Sequence, residues 1–271
     1  MTDCHYQQLP NVPPQIDHGY GSKVRILSTP FAMSMLARLS SPEAVQPEVN
    51  NLVESLYEWM IGPVADSVLK TKQVVSPTRM QAFTPHGQYA GQVIDREQKV
   101  VVVDIARAGM LPSYRVYHHL HHVIDPGNLR QDHLVASRVT DASDRVVGVE
   151  VSATKIGGPV SNSTVIIPDP MGATGTSIAA VIRRYKSDPA GPPKRIVAVH
   201  LIVTPEYLAN ITREFPEVEV FAIRLDRGLS SESVLNTPPG ERWEEEVGLT
   251  PNQYIVPGAG GVGEVLNNAW I

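Results

Sequence analysis

The chain has 271 residues, 42% of them apolar and 19% charged, with a formal net charge of −5. This is the composition of a globular protein with apolar residues enough for one large domain or two small ones. The acidic balance and the lack of any long basic block exclude a general nucleic-acid or membrane surface, but a few local arginines and backbone N–H groups suffice to hold a phosphate.

The single cysteine, Cys4, makes no internal disulfide. The opening "MTDCHYQQLP" has neither a basic start nor an apolar core, so no signal peptide is expected. No apolar run reaches the roughly 18 residues of a membrane span. The expectation is a soluble, cytoplasmic protein.

Residues 1–22, rich in Pro, Gln, Asn and Gly, read as a flexible arm that orders only by lying on something else, and 23–271 read as one domain. In 41–69, Val49, Leu52, Val53, Leu56 and Trp59/Met60 recur at helical spacing, which predicts a helix. "KVVVVDIARAG" (99–109) reads as a strand buried on both faces and then a turn. "SYRVYHHLHHVI" follows as a helix, and "HLVASRV" (133–139) as another strand. Residues 141–162 are polar and Gly-rich and predict a mobile hairpin or loop. Next come a strand at 164–167 and a helix from about Ser177. A strand (195–205), a helix (206–216) and a strand (218–226) complete the alternation. Such alternation, with strands apolar on both faces, predicts a parallel sheet covered by helices on both sides. Residues 228–253 form a long irregular insert, and inserts of that length are usually functional or mobile.

The stretch "TVIIPDPMGATGTSIAAVI" (164–182) carries the chemistry. In an open parallel sheet, ligands sit beyond the carboxyl ends of the strands. A strand ending at Pro168 therefore presents Asp169 and the loop Met171, Gly172, Ala173, Thr174, Gly175, Thr176, Ser177 at that edge. Small residues let backbone N–H groups converge on an anion, and the following helix adds positive potential. Thr174, Thr176 and Ser177 add hydroxyls. The loop suits a phosphate monoester, and Asp169 can accept hydrogen bonds from neighbouring sugar hydroxyls. It is not a Walker loop, because no Gly-Lys-Ser/Thr follows at the required spacing.

"IIPDPMGATGTS" resembles the phosphoribosyl-pyrophosphate loop of uracil phosphoribosyltransferases, which carry one acid followed by Pro where other type I phosphoribosyltransferases carry two adjacent acids. Two further matches fall in order. "DIARAG" (104–109) resembles the family's "PILRAG", whose arginine contacts the pyrophosphate. "QYIVPGAGGVGE" (253–264) resembles "GYIVPGLGDAGD", which holds the base. The resemblance spans about residues 24–268. It implies a type I phosphoribosyltransferase-like fold: a central parallel sheet flanked by helices, a C-terminal base-binding hood and a mobile hairpin. It implies Asp169 and Arg107 as catalytic residues, and phosphoribosyl pyrophosphate bound by Arg107, Arg138, Asp169 and 171–177. Ile255, Gly260, Gly261 and Val262 would bind the base. It further implies Mg²⁺ carried by the pyrophosphate without direct protein ligation, and a homo-oligomer with neither nucleic acid nor membrane as partner.

The resemblance also shows departures. Gly261 stands where the family has Asp, Glu264 where it has a second Asp, and Val265 where it has Arg or Lys. If the missing carboxylate limits the rate, Gly261→Asp raises turnover with uracil. Glu244, Glu245 and Glu246 of the insert are candidates to bring an acid back. "GAGGVG" (258–263) matches a dinucleotide fingerprint formally, but only eight residues follow it. His118 and His122 stand at metal spacing, yet no further ligand completes a zinc set. The expected reaction is phosphoribosyl transfer to a pyrimidine, most simply uracil. Two alternatives stay open: a non-catalytic nucleotide sensor on the same fold, and the same transfer to another base.

Overall fold

The computed structural model describes residues 3–10, 13–140 and 146–269. Among these residues, ten strands and seven α-helices follow in chain order: β1 Val24–Ile26, α1 Pro30–Leu39, α2 Glu48–Val68, β2 Thr71–Pro77, β3 Gln88–Ile94, β4 Val100–Ala106, α3 Met110–Leu120, β5 Leu129–Thr140, β6 Val146–Lys155, β7 Thr164–Pro168, β8 Met171–Gly172, α4 Thr176–Lys186, β9 Arg195–Val203, α5 Pro205–Glu214, β10 Glu219–Leu225, α6 Glu232–Leu235 and α7 Val262–Asn267.

The main sheet runs β1-β10-β9-β7-β4-β5-β6, with the short β8 on β9. All its pairs are parallel except β5–β6. Strand alternation divides the core in two. Val100, Val102, Val197 and Val199 face α1, α2, α3 and α7. Val101, Val103, Val165, Ile167 and Ala198 face α4 and α5. Runs apolar on both faces thus form central strands of a sheet covered on both sides, as expected.

Several elements differ from expectation. The helix expected over 41–69 begins only at Glu48, with Pro47 as its N-cap residue. Proline lacks the N–H that an earlier helical turn would use. The β2–β3 hairpin was not expected at all. It is antiparallel from Thr71↔Ile94 to Pro77↔Gln88; β2 is mostly exposed and β3 mostly half-buried, so neither strand shows a strong apolar alternation. The expected hairpin at 141–162 begins earlier, because β5 runs to Thr140 and pairs with β6. Residues 141–145 lie outside the described residues. Asp132 fixes the foot of this hairpin. It is fully buried, and its carboxylate accepts from Arg130 Nε (3.0 Å), Tyr185 Oη (2.9 Å) and Gly157 N (2.9 Å).

The N-terminal arm lies along the domain. Gln7 Nε2 donates to Ala90 O at 3.2 Å, and Ile16 N to Ile26 O at 3.0 Å. Tyr20 is buried, meets Trp243 edge-on at 4.8 Å, and donates its hydroxyl to Glu246. Among the described residues no helix is long and apolar enough to cross a membrane.

Candidate functional site

β4 and β7 are neighbours, so the turns leaving them emerge side by side at the carboxyl edge. Gly109 lets those turns close. A Cβ there would sit 2.8 Å from Ile105 O and 3.2 Å from Pro168 O. Arg107, exposed on the first turn, therefore stands beside the turn carrying Asp169. Its Nη1 reaches Ala269 O at 3.4 Å.

Asp169 is half-buried. Its Oδ1 accepts from Met171 N at 3.2 Å. Burial pushes its carboxyl up from 3.8 to about 6, while the Met171 bond pulls the other way. The same burial, with the Asp169 charge adding to it, holds the Tyr57 and Tyr207 hydroxyls well above their ordinary range.

The loop after Asp169 has two parts. Met171 and Gly172 form β8 and pair with Ile202 and Val203 of β9. The Met171 amide serves Asp169, and Ala173 N donates back to Met171 O at 3.1 Å. These three residues shape the turn. A side chain at Gly172 would press on Val203 and the Tyr207 ring, at 2.9 and 3.1 Å. The second part, Thr174–Ser177, is where donors gather. Gly175 caps α4 in the left-handed region at φ 81°, which glycine adopts without strain. The first-turn amides of α4 have no intrahelical acceptor and supply positive potential. Thr174 and Thr176 hydroxyls lie 3.0 Å apart beside them. The result is a cradle for a compact anion.

Side chains not singled out from the sequence hold this cradle. Asn210 Nδ2 donates to Thr174 O at 2.8 Å, and Thr204 Oγ1 to Ala173 O at 2.7 Å. His200, fully buried, lies beneath Asp169. Its Nδ1 is 2.6 Å from Asp169 O and its Nε2 is 2.6 Å from Tyr207 Oη. A carbonyl only accepts, so Nδ1 carries the proton and Nε2 accepts from the tyrosine. Burial lowers the imidazole to about 4, against the raising effect of the Asp169 carbonyl bond, so it stays neutral. The only signal in the sequence was polar residues, His200 and Tyr207, inside or next to apolar runs.

The third segment is 255–264. The Arg224–Asp226 pair (2.6 Å) clamps it, with Arg224 Nη2 donating to Gly258 O at 3.0 Å and Gly258 N donating to Asp226 at 2.7 Å. A Cβ on Gly263 would lie 3.6 Å from Ala108 Cβ, so this segment packs against the Arg107 turn. Gly260 has φ 71° and open space around it. Ile255 bridges to Leu249, and Val262 is buried with its N–H bonded to Gly260 O at 3.1 Å. Gly261 is the N-cap of α7.

Arg138 lies in β5 opposite Val149, three positions beyond the last β4–β5 pair, Ala106↔Val135. Its side chain lies outside the described residues. The insert acids are committed elsewhere. Glu244 pairs with Arg213 and Glu245 with Arg242, while the buried Glu246 pairs with Arg227 at 2.7 Å and accepts from Gly240 N at 2.8 Å. The charge run is thus two surface pairs and one structural pair, and it brings no free acid to the site. The insert is stitched to the 255–264 segment through Gly228 N to Val256 O (3.0 Å) and Val256 N to Gly248 O (2.9 Å). Among the described residues, the one grouping of three ligand-type side chains is Asp3, Cys4 and His5 on the arm.

A parallel sheet with an acid-then-cradle turn, a neighbouring arginine turn and a C-terminal hood defines a type I phosphoribosyltransferase-like protein. The chain belongs to the uracil phosphoribosyltransferase family, whose model matches residues 26–240. It is similar to the uracil phosphoribosyltransferase of Thermococcus sibiricus, at 26% identity over 87% of this chain and 85% of that one. The enzyme of that name from Pyrobaculum arsenaticum is 30% identical over 68% of this chain and 74% of its own length. Among solved structures, the AQ2163 protein of Aquifex aeolicus superposes with a TM-score of 0.68 over 92% of this chain and 99% of that one. At 20% identity this likeness concerns the fold.

Proposed function

We propose that the chain transfers the phosphoribosyl group of phosphoribosyl pyrophosphate to uracil, giving UMP and pyrophosphate. The family supports the reaction. The observation that carries the residue roles is the convergence of three turns (107–109, 169–177 and 258–264) at one carboxyl edge. The C1–O bond to pyrophosphate breaks with its electron pair leaving on the pyrophosphate. The base N1 attacks C1 and gives up its proton. The ribose becomes cationic on the way.

In this reading Thr174, Gly175, Thr176 and Ser177 hold the 5′-phosphate, within a turn shaped by Met171, Gly172 and Ala173. The Asp169 carboxylate accepts from the ribose hydroxyls and faces the developing cation. Arg107 grips the pyrophosphate as charge builds on it, a preorganised electrostatic role. Arg138 is read as a further pyrophosphate contact. Backbone groups of Ile255, Gly260, Gly261 and Val262 read the edge of the base. The β5–β6 hairpin closes over the site and keeps water from the cation. Magnesium would be carried by the pyrophosphate and, when bound, would offset charge on the leaving group.

The chain is further read as a cytoplasmic homo-oligomer. The β2–β3 hairpin leaves Val75 69% and Phe83 81% exposed, a surface a second copy would cover. Light scattering tests that point. Labelled phosphoribosyl pyrophosphate incubated with a panel of bases tests the reaction. UMP and pyrophosphate are expected with uracil, and pyrophosphate release with no base, or only with another base, refutes the assignment.

A further inference from the structure

The opposite, amino edge of the sheet carries a second charged feature. β4, β7 and β9 start side by side there, and a cavity of about 330 Å³ opens at their entry, lined by Lys70, Glu97, Lys99, Asn162, Lys194 and Arg195. Backbone bonds fix its rim. Lys70 N donates to Gln98 Oε1, Thr164 N to Lys99 O and Lys194 N to Ser163 O, each at 2.9 Å.

The acids nearby leave this cavity positive. Glu219 pairs with Arg195 at 3.1 Å. Asp95 is bonded to Lys72 at 2.8 Å, and Glu97 lies 3.9 Å from the same lysine. Among the described residues no ion pair engages Lys70, Lys99 or Lys194. Two of these cations also touch. The contact with Lys70, and the repulsion that goes with it, pushes the Lys194 ammonium below its ordinary range, with smaller contributions from desolvation and Arg195. A chain of net charge −5 thus gathers three unneutralised ammonium groups at one concave spot. Walls of one sign focus the field and concentrate counter-ions.

We propose that this cavity binds a polyphosphate anion, held by Lys70, Lys99 and Lys194. Lysine binds phosphate as a point charge, and several lysines match the several charges of a phosphate chain. The volume reaches the range of small-molecule sites, which is more than a single phosphate fills. The pocket is too confined for a nucleic acid. At about 3.3 Å per residue along β4 and β7, it lies roughly 15–25 Å from the turns at the carboxyl edge, so it is separate from the transfer reaction proposed above.

Lysine acetylation read by mass spectrometry tests this site by site. The wild-type chain is labelled alone, with sodium tripolyphosphate, with ATP, and with sodium chloride at matched ionic strength. The expected result is several-fold slower labelling of Lys70, Lys99 and Lys194 with tripolyphosphate, and unchanged labelling of Lys186, which is paired with Glu217. Arg107→Gln keeps that protection, because it alters only the carboxyl edge. A folded Lys70→Gln/Lys194→Gln variant loses most of the protection at Lys99. Protection by tripolyphosphate assigns the site to the free anion, and protection by ATP alone assigns it to a phosphate chain carried on an organic group. Protection by neither overturns the inference, as does equal protection by sodium chloride, which would be screening only. Protection lost in Arg107→Gln also overturns it, since the anion would then act from the carboxyl edge. So do lysines that are unreactive without any anion in a chain that scatters light as a dimer, because a second copy would then fill the cavity.

Discussion

Asp169→Asn tests the electrostatics of the site without reference to turnover. Burial raises the Asp169 carboxyl from 3.8 to about 6. Its ionised form is therefore less favourable in the folded chain than in the unfolded one. At about 1.4 kcal/mol per pH unit, this comes to about 3 kcal/mol, and solvent screening of a half-buried group trims it to about 2. The sign follows from linkage. A raised folded pKa favours the folded state below 3.8, and that advantage is lost as pH rises through about 6. Asparagine keeps the shape and can still accept from Met171 N, but carries no charge. Asp169→Asn is therefore expected to be inactive and, at pH 8, about 2 kcal/mol more stable than wild type. The difference shrinks from about pH 6 downward and is mostly gone by pH 4. His200, lowered to about 4, works with the opposite sign in the same window, losing stability as pH falls from 6.5. Both proteins contain it, so it cancels in the comparison. Urea melts of the two proteins at matched pH give the answer. A variant no more stable than wild type at pH 8, or a gap that does not change with pH, refutes the reasoning.

Three further outcomes are expected. The kcat/KM for phosphoribosyl pyrophosphate falls below about pH 6 as Asp169 takes up a proton, and a profile flat down to pH 5 contradicts its role. His200→Leu strands the buried Tyr207 hydroxyl and the Asp169 carbonyl, costing about 2–5 kcal/mol in urea melts; adding Tyr207→Phe recovers part of that, because both polar partners of one bond are then gone. Gly175→Ala forces a methyl into φ 81° and within 3.3 Å of Asn210 and Ile211; the expected cost is about 1–2 kcal/mol, with a several-fold rise in KM for phosphoribosyl pyrophosphate, and an unchanged KM would remove that glycine from the cradle.

The sequence made the central sheet legible because strands buried on both faces need unbroken apolar runs. "KVVVV" and "RIVAVHLIV" could hardly be anything else. The turn after β7 was legible because a tight passage from strand to helix through a left-handed Gly175 gathers small residues into a short contiguous stretch. What supports that turn was not legible. His200, Thr204, Tyr207 and Asn210 come from a later strand and helix, and only the β7–β9 pairing brings them beneath it. The β2–β3 hairpin escaped notice because a ribbon with one exposed strand and one half-buried strand prints no clear burial pattern on its sequence.

The buried Tyr20–Glu246–Arg227 cluster ties the amino-terminal arm to the insert, and the insert is sewn to the 255–264 segment at Val256. The amino-terminal arm and the 255–264 segment are therefore mechanically joined through the insert. A variant clipped before Lys23 would leave Glu246 and Arg227 to settle without their tyrosine, and the loosening would register as blurred discrimination among bases well before it registered as unfolding.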